Sequence, residues 1–178
     1  MHYGELKKCD IANGAGVRVT LFVSGCTNRC EGCFQPQTWD FCYGKPFTAD
    51  TEAEIFAELD KSYVDGLTLL GGEPFEPKNQ PTLTALLRRV KAQYPHKTVW
   101  CYSGYTYEAD LLAHRVGEPE TIDRMLGCID ILVDGRFVEA KKSARLRFRG
   151  SANQRIIDVR ASLAAGQTIL WEGMNDFT

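Results

Sequence analysis

The sequence predicts an α/β fold built on mainly parallel strands, and two observations support this prediction. Short runs rich in β-branched and aromatic residues alternate with segments whose apolar residues recur at helical spacing. Chemically distinctive residues also follow directly after several of these runs, as they do where parallel strands end at a shared site. Strands that alternate with helices are expected to pair in parallel through right-handed crossovers.

The first unit runs from a strand at 17–23 to a helix that Thr48, Asp50 or Thr51 can cap. The expected apolar face of this helix has spacings of one, three and four residues: Ile55, Phe56, Leu59 and Tyr63. A second short buried strand is expected at 66–70.

The same alternation continues to the end of the chain. Three further helical segments are expected at 81–94, 108–115 and 120–125. Further strands are expected at 97–102, 129–133 and 155–159, with an edge strand at 168–171. Four or five such units are too few to close an eight-stranded barrel. We expect one domain over residues 1–178, with a core at about 15–160 and a C-terminal extension at 160–178.

Composition excludes several classes of partner. The chain has 44% hydrophobic and 25% charged residues, and its net charge of −2 provides no field that would collect nucleic acid or an anionic membrane. We expect no signal peptide and no membrane span, because no apolar run approaches the roughly 20 residues that a span requires. The seven cysteines fit thiolate chemistry in a cytoplasmic protein better than a disulfide framework.

Three of these cysteines, Cys26, Cys30 and Cys33, lie within eight positions. Gaps of three and two residues let one loop wrap a metal centre. Three local thiolates either recruit a distant fourth ligand or leave one metal position open for chemistry. One alternative is a zinc site completed by Cys9 or Cys42. Otherwise the four scattered cysteines are expected to be small buried residues: Cys9, Cys42, Cys101 and Cys128.

The C-x-x-x-C-x-x-C spacing and the Gly-Gly-Glu-Pro sequence at 71–74 resemble the radical S-adenosyl-L-methionine (SAM) superfamily. The resemblance is narrower at four other segments: 10–14, 38–39, 133–137 and 149–154. Over about residues 3 to 160 the chain resembles the activating proteins of anaerobic ribonucleoside-triphosphate reductase, which are activases of a glycyl-radical enzyme.

This resemblance implies the fold, the cofactors and the partner. The fold would be an open partial (β/α) barrel. Cys26, Cys30 and Cys33 would bind a 4Fe-4S cluster whose open iron chelates SAM. One electron from flavodoxin or a similar donor would then cleave SAM to a 5′-deoxyadenosyl radical. That radical would abstract hydrogen from a glycine of the reductase.

The resemblance also implies contacts between the chain and the adenine of SAM. In much of the superfamily an aromatic residue before the third cysteine lies against adenine; here Gly32 holds that place and Phe34 follows the cysteine. Gly32, Cys33 and Phe34 are therefore the expected adenine contacts. Core packing is the alternative account of Phe34.

At the methionine end of SAM, Gly71, Gly72 and Glu73 are expected, because a strand end without Cβ atoms exposes backbone groups. The alternative is an ordinary turn that Glu73 only braces. Ser103 and Asp134 follow the next two strands and are expected at the ribose or the methionine carboxylate, with Arg136 as a charge partner of Asp134. Turn capping and a solvated arginine are the alternatives.

A basic run without an acidic residue extends from 141 to 149: Lys141, Lys142, Arg145, Arg147 and Arg149. Such a run is either a solvated face or a docking surface for the reductase or its glycine-bearing loop. Two rival functions also remain open at this stage. One is activation of another glycyl-radical enzyme of the pyruvate formate-lyase type, and the other is a non-enzymatic zinc or redox module that binds a partner.

Overall fold

The computed structural model describes residues 1–172, which form one seven-stranded sheet with helices packed on it. The strands are β1 (His2–Asp10), β2 (Arg18–Val23), β3 (Lys45–Pro46), β4 (Gly66–Gly71), β5 (Thr98–Tyr102), β6 (Ile131–Asp134) and β7 (Arg155–Asp158). Their order across the sheet is β3-β1-β2-β4-β5-β6-β7. The four central strands are parallel, the outer ones are antiparallel, and the sheet does not close. The predicted α/β class is confirmed, and the expectation of mainly parallel strands holds for the centre of the sheet, where three of the six strand pairings within residues 1–172 are parallel.

The α-helices are α1 (Ala49–Leu59), α2 (Gln80–Gln93), α3 (Pro119–Leu126) and α4 (Val159–Ala165). Thr48 caps α1 as predicted: its hydroxyl accepts from the Thr51 amide, and the Thr51 hydroxyl accepts from the Thr48 amide. A proline stands in the first turn of both α2 and α3, where its missing N–H costs no helical bond. A single π-helical segment, Tyr107–Leu112, occupies most of the predicted helix at 108–115.

Alternate residues of the central strands face two apolar clusters. The larger contains Leu21, Leu69 and Leu132 and lies between the sheet and the helices. The smaller contains Trp100 and Ile131 and lies on the other face of the sheet. All six residues of β2 are buried, which explains why this strand reads as a continuous apolar run.

The structure differs from the sequence-based expectations at five places. The strand β7 pairs antiparallel with β6, because the connection over 135–154 contains only a short 3₁₀ turn and no crossover helix. Residues 168–171 form no strand; Leu170 makes one isolated bridge to Ile157. The strand β1 and the helix α4 were not expected. Tyr63 lies beyond the end of α1 and is 55% exposed.

Two further expectations concern the ends of the chain and the membrane. Within residues 1–172, no helix is long and apolar enough to cross a bilayer. The part of the expected C-terminal extension at 173–178 lies outside the described residues.

Candidate metal and cofactor site

A cavity of about 520 Å³ opens where β2, β4 and β5 end at their carboxyl sides. Its walls contain most of the predicted site residues: Cys26, Cys30, Cys33, Phe34, Gly71, Gly72, Glu73 and Ser103. Two predicted residues, Gly32 and Asp134, are not part of its lining. The three thiols therefore share one cavity with the Gly-Gly-Glu segment, as expected for parallel strands that end at the same edge.

Backbone hydrogen bonds from the 3₁₀ turn at Pro36–Trp39 hold the start of the cysteine loop. The Gly25 amide donates to the Thr38 carbonyl at 2.8 Å, and the Cys26 amide donates to the Trp39 carbonyl at 3.3 Å. These two bonds give a structural reason why the segment 38–39 accompanies the cysteine motif in the family resemblance. They fix the direction in which the chain leaves β2 and place Cys26 in the cavity wall.

Two buried side chains that follow the Gly-Gly-Glu segment also form hydrogen bonds to the cysteine loop. Glu76 Oε1 accepts a hydrogen bond from the Thr27 amide and another from the Thr27 hydroxyl, each at 2.6 Å. The Asn79 side-chain amide donates to the carbonyls of Ser24 and Glu73, each at 3.0 Å. Glu76 and Asn79 thus bind the cysteine loop to the segment after β4.

Glu73 is buried, and four donors of the chain surround its carboxylate. They are the Phe75 amide at 2.9 Å, the Gly104 amide at 2.7 Å, the Ser103 hydroxyl at 2.8 Å and the Asn28 side chain at 3.1 Å. Burial raises the pKa of Glu73 to about 7, and the bonds from Phe75, Gly104 and Ser103 oppose that rise. Glu73 therefore braces the ends of β4 and β5 against the cysteine loop.

The two glycines before Glu73 are required by close backbone contacts. A Cβ on Gly71, where φ is +105°, would lie 2.8 Å from the Val23 carbonyl oxygen. A Cβ on Gly72 would lie 2.6 Å from the Gly25 carbonyl oxygen. The missing Cβ atoms of Gly71 and Gly72 therefore let β4 meet the cysteine loop, and the approach of a ligand to these glycines stays a prediction.

The protonation of the thiols follows from their partial burial. Burial, with a smaller effect of Glu73, raises the pKa of Cys26 to about 11, and burial raises the pKa of Cys30. The backbone amides of Asn28 and Arg29 oppose the shift at Cys26. Since metals bind the thiolate, loading the site must release protons.

The donor set and the cavity fit a cluster with a bound organic ligand. Within residues 1–172, no group of three or more His, Cys, Asp or Glu side chains is placed to hold a single metal ion. A zinc ion would gather its thiolates at about 2.3 Å from one centre, whereas each cysteine of a cubane binds a different iron. Three buried polar atoms in the cavity wall have no hydrogen-bond partner among the described residues: Asn28 Oδ1, Trp39 Nε1 and the Tyr102 hydroxyl. A polar ligand such as SAM would provide partners for them.

Phe34 lies at the rim of the cavity and not in the core. Its side chain is 61% exposed, its ring centroid is 4.9 Å from that of Phe137, and the Lys142 ammonium lies 4.8 Å above the ring. The core-packing alternative for Phe34 is therefore wrong. Gly32 is exposed beside it, with φ at +69°, and a Cβ there would lie 2.6 Å from the Glu139 carboxyl group.

Asp134 is buried at the end of β6, but its partners are protein groups outside the cavity lining. Its carboxylate accepts from the Tyr107 amide at 2.8 Å and pairs with Arg155, not with the expected Arg136. Arg136 is exposed. Ser103 lines the cavity, and its hydroxyl is committed to Glu73.

The scattered cysteines divide into two pairs. Cys101 is buried and Cys128 is half-buried, whereas Cys9 and Cys42 are exposed, so the expectation of burial is wrong for the last two. Cys9 and Cys42 carry no packing role that would explain them. All seven cysteines are free thiols.

Sequence reasoning missed three contributors to this site: Glu76, Asn79 and Tyr102. A weak signal existed for the first two, since residues 71–80 are rich in polar and turn-forming residues directly after a strand. Tyr102 lies on the same face of β5 as Trp100 and packs on the smaller apolar cluster, and alternation alone does not reveal an unpartnered hydroxyl.

Comparisons with known proteins agree with this geometry. Residues 12–157 match the model of the 4Fe-4S single cluster domain family. An anaerobic ribonucleoside-triphosphate reductase-activating protein from Pasteurella multocida is 43% identical over 157 residues, 86% of this chain and 95% of that protein. Proteins of the same name from Vibrio cholerae and Escherichia coli are 39% and 37% identical, over 86% and 90% of this chain and 96% and 100% of their own lengths.

Proposed function

Because the chain belongs to the family of the anaerobic ribonucleoside-triphosphate reductase-activating proteins, we propose that it installs a glycyl radical on such a reductase. The observation that carries this proposal is the cysteine loop, which places three thiols in one cavity with three unpartnered polar atoms. When bound there, a 4Fe-4S cluster and SAM supply a 5′-deoxyadenosyl radical that takes a hydrogen atom from a glycine of the reductase.

The chain's own residues would perform three tasks around these cofactors. Cys26, Cys30 and Cys33 would hold the cluster, and Phe34 would lie beside the adenine from the same cavity wall. Gly32 is outside that wall, and its proposed place beside the adenine rests on its position next to Cys33. The exposed edges of Gly71 and Gly72 would bind the methionine end of SAM, while Glu73 keeps that edge in place through its four donors. The support for these roles is the shared cavity and the close packing between the two segments.

Ser103 and Asp134 would have unequal roles. Ser103 lines the cavity and lies within reach of a ribose, although its hydroxyl proton is directed to Glu73. The carboxylate of Asp134 is held by Arg155. Because Asp134 and the methionine carboxylate are both negative, the proposed contact between them would run through a water molecule or a cation.

The proposal also covers the domain, its fold, the electron donor and the cellular location. We infer a single radical SAM domain folded as an open partial (β/α) barrel, for which the parallel centre β2-β4-β5-β6 is the support. The electron would come from flavodoxin or a similar donor. A cytoplasmic location would keep the seven cysteines reduced, and all seven are free thiols here.

The two rival functions have less support. The relatives named above are all activating proteins of the reductase, which favours that partner over one of the pyruvate formate-lyase type. A zinc module does not account for the unpartnered polar atoms of the cavity wall or for the match to the 4Fe-4S single cluster domain family.

Metal content and electron paramagnetic resonance test the proposal with a matched pair of variants. We expect the anaerobically reconstituted protein to hold about four irons per chain, Cys30→Ala to lose the cluster, and Cys42→Ala to keep it. Cys42 is an exposed cysteine outside the cavity and serves as the control. The reduced-cluster signal of the wild type should change when SAM is added, and a glycyl radical should then form on the reductase. Retention of the cluster and of SAM cleavage in Cys30→Ala would contradict the ligand assignment.

A further inference from the structure

Residues 136–149, here called the strap, concentrate positive charge at one place. The strap contains six of the chain's 21 lysine and arginine residues and one of its 23 acidic residues, a net charge of +5 in a chain of net charge −2. No acidic residue occurs between Glu139 and Asp158. A solvated helix face usually mixes the two signs, so this segment is unusual within its own chain.

The strap lies at the mouth of the cavity. Phe137, Leu146 and Phe148 line the cavity wall. The strap also contacts the cysteine loop at two points, because Phe137 packs on Phe34 and Glu139 lies against Gly32. A protein substrate that reaches the cavity must therefore pass beside the strap.

Hydrogen bonds from residues 151–154 hold the start of the strap. The Gln154 side chain donates to the Gly135 carbonyl at 2.9 Å, and the Asn153 side chain donates to the Arg136 carbonyl at 2.8 Å. The Ser151 hydroxyl accepts from the Val138 amide at 3.1 Å. The Ala152 amide also donates to the Lys141 carbonyl at 2.8 Å. These contacts attach the first part of the strap, up to the start of its run of cations, to residues 151–154.

Four of those cations form a surface that we call the cationic patch: Lys141, Lys142, Arg145 and Arg147. All four are exposed, and none forms a salt bridge within residues 1–172. Lys142 stands over the Phe34 ring and Arg147 over the Phe148 ring, at 4.8 and 5.5 Å, which ties the patch to two aromatic residues at the cavity. Arg149 differs, since it lines the cavity and donates to the Gln154 carbonyl.

We propose that the cationic patch docks an acidic segment of the reductase that flanks its glycine-bearing loop. This inference rests on the proposed function and adds the chemistry by which the protein substrate is recognised. Opposite charges at the rim of an interface speed association and orient the partner, and they leave the chemical step unchanged. Placed beside the cavity mouth, they would align the glycine loop with the site before it enters.

The test compares two double charge reversals in the reconstituted protein with the intact reductase. The patch variant is Lys141→Glu with Arg145→Glu, which avoids both residues that stack on aromatic rings. The control is Arg88→Glu with Arg115→Glu, two exposed arginines outside the cavity lining that form no salt bridge within residues 1–172. Both variants change the net charge equally, so they separate local from overall charge.

Three quantities would be measured: the rate of glycyl radical formation against reductase concentration, its salt dependence, and SAM cleavage without reductase. We expect the patch variant to raise KM for the reductase about ten-fold or more at about 50 mM salt, and much less at about 500 mM, because salt screens exposed charges. The control should stay within about two-fold of the wild type, as should kcat and reductase-free SAM cleavage in both variants.

The outcomes separate this inference from the proposed function. Equal KM values in the patch and control variants, with radical formation intact, would overturn the docking surface alone. A loss of reductase-free SAM cleavage in the patch variant would also overturn it, because the patch would then act on the cavity and not on the partner. If the wild type forms no glycyl radical on the reductase, the proposed function fails, and the docking surface fails with it.

Discussion

At the scale of single residues, the segment after β4 serves the cysteine loop as much as a ligand. Glu73, Glu76 and Asn79 direct their polar atoms to backbone and side-chain groups of the chain. A carboxylate with four donors is unsuited to a second task that would require it to move. The residue types of this motif are thus explained by the way it holds the loop, and its exposed backbone edge is left for a ligand.

A substitution at Gly71 tests this account. We expect Gly71→Ala to lower the free energy of unfolding by about 1–3 kcal/mol more than Gly166→Ala, and to reduce cluster content. Both glycines have positive φ, at +105° and +64°, so both substitutions strain the backbone. Only Gly71 would bring its new Cβ against the Val23 carbonyl, since no atom lies within 4 Å of a Cβ at Gly166. Urea unfolding of the two apo variants measures the difference, and equal losses would contradict the close-contact explanation.

At the scale of secondary-structure elements, the sequence predicts those whose hydrophobic pattern is unbroken over their whole length. The strands β2, β4 and β5 are buried apolar runs, and α1 and α2 show clear helical spacing. The strand β1 escaped prediction because it lies near the sheet edge and includes Lys7, Lys8 and Cys9, which read as polar. The helix α4 is only seven residues long, and its first residue, Val159, reads as the end of the β-branched run at 155–159.

The candidate site was also predictable only where its residues are close together in the sequence. Local spacing was sufficient for the three cysteines, since a loop's ligands can be read from consecutive residues. The partner of Asp134 was not predictable, because Arg155 reaches it from a strand whose antiparallel direction no local pattern reveals. Contacts across the sheet depend on its topology, and a mainly parallel pattern of strands does not indicate which strand is the antiparallel exception.

Arg155 also links β7 to the π-helical segment through Glu108, and acid should weaken that link. Arg155 donates to both Glu108 oxygens, at 2.9 and 2.6 Å, and this pairing lowers the pKa of Glu108 to about 2. A carboxyl with a lowered pKa stabilises the fold fully above its unfolded pKa of about 4.5, and it loses that contribution as the pH falls toward about 2.

We expect Glu108→Gln to remove this pH dependence. Because Glu108 is 45% exposed, solvent screening limits its contribution to about 0.5–1 kcal/mol. The free energy of unfolding of the wild type should therefore exceed that of the variant by this amount at pH 6, and the gap should narrow steadily toward pH 3. Urea titrations of both apo proteins across this range measure it. A gap that is constant with pH would show that the pair does not stabilise the ionised form.

At the scale of the whole molecule, the two ends of the parallel strands are specialised differently. The carboxyl ends carry the cysteine loop and the cavity. At the opposite ends, Arg18 connects neighbouring strands. Its side chain is fully buried and makes five hydrogen bonds to three segments. Its Nη2 donates to the carbonyls of Leu67 and Thr98, both at 2.7 Å, and so ties β2 to β4 and β5. Burial lowers the pKa of Arg18 to about 10, and the group stays charged at neutral pH.

Removing that guanidinium should weaken the whole sheet and leave the chemistry of the cavity unchanged, because none of its five hydrogen bonds goes to a residue that lines the cavity. We expect Arg18→Leu to lower the free energy of unfolding by at least about 3 kcal/mol, because several buried acceptors lose their donor at once. Arg160→Leu is the matched control: Arg160 is 75% exposed, its carboxylate contact with Asp130 is 3.8 Å, and its removal should cost less than about 0.5 kcal/mol. Urea unfolding of the apo proteins measures both effects. Below the unfolding transition, the cluster that Arg18→Leu retains should give the wild-type response to SAM in electron paramagnetic resonance. A small stability loss would mean that water or a rearranged loop satisfies the acceptors, and an altered response to SAM would mean that the two ends of the strands are coupled.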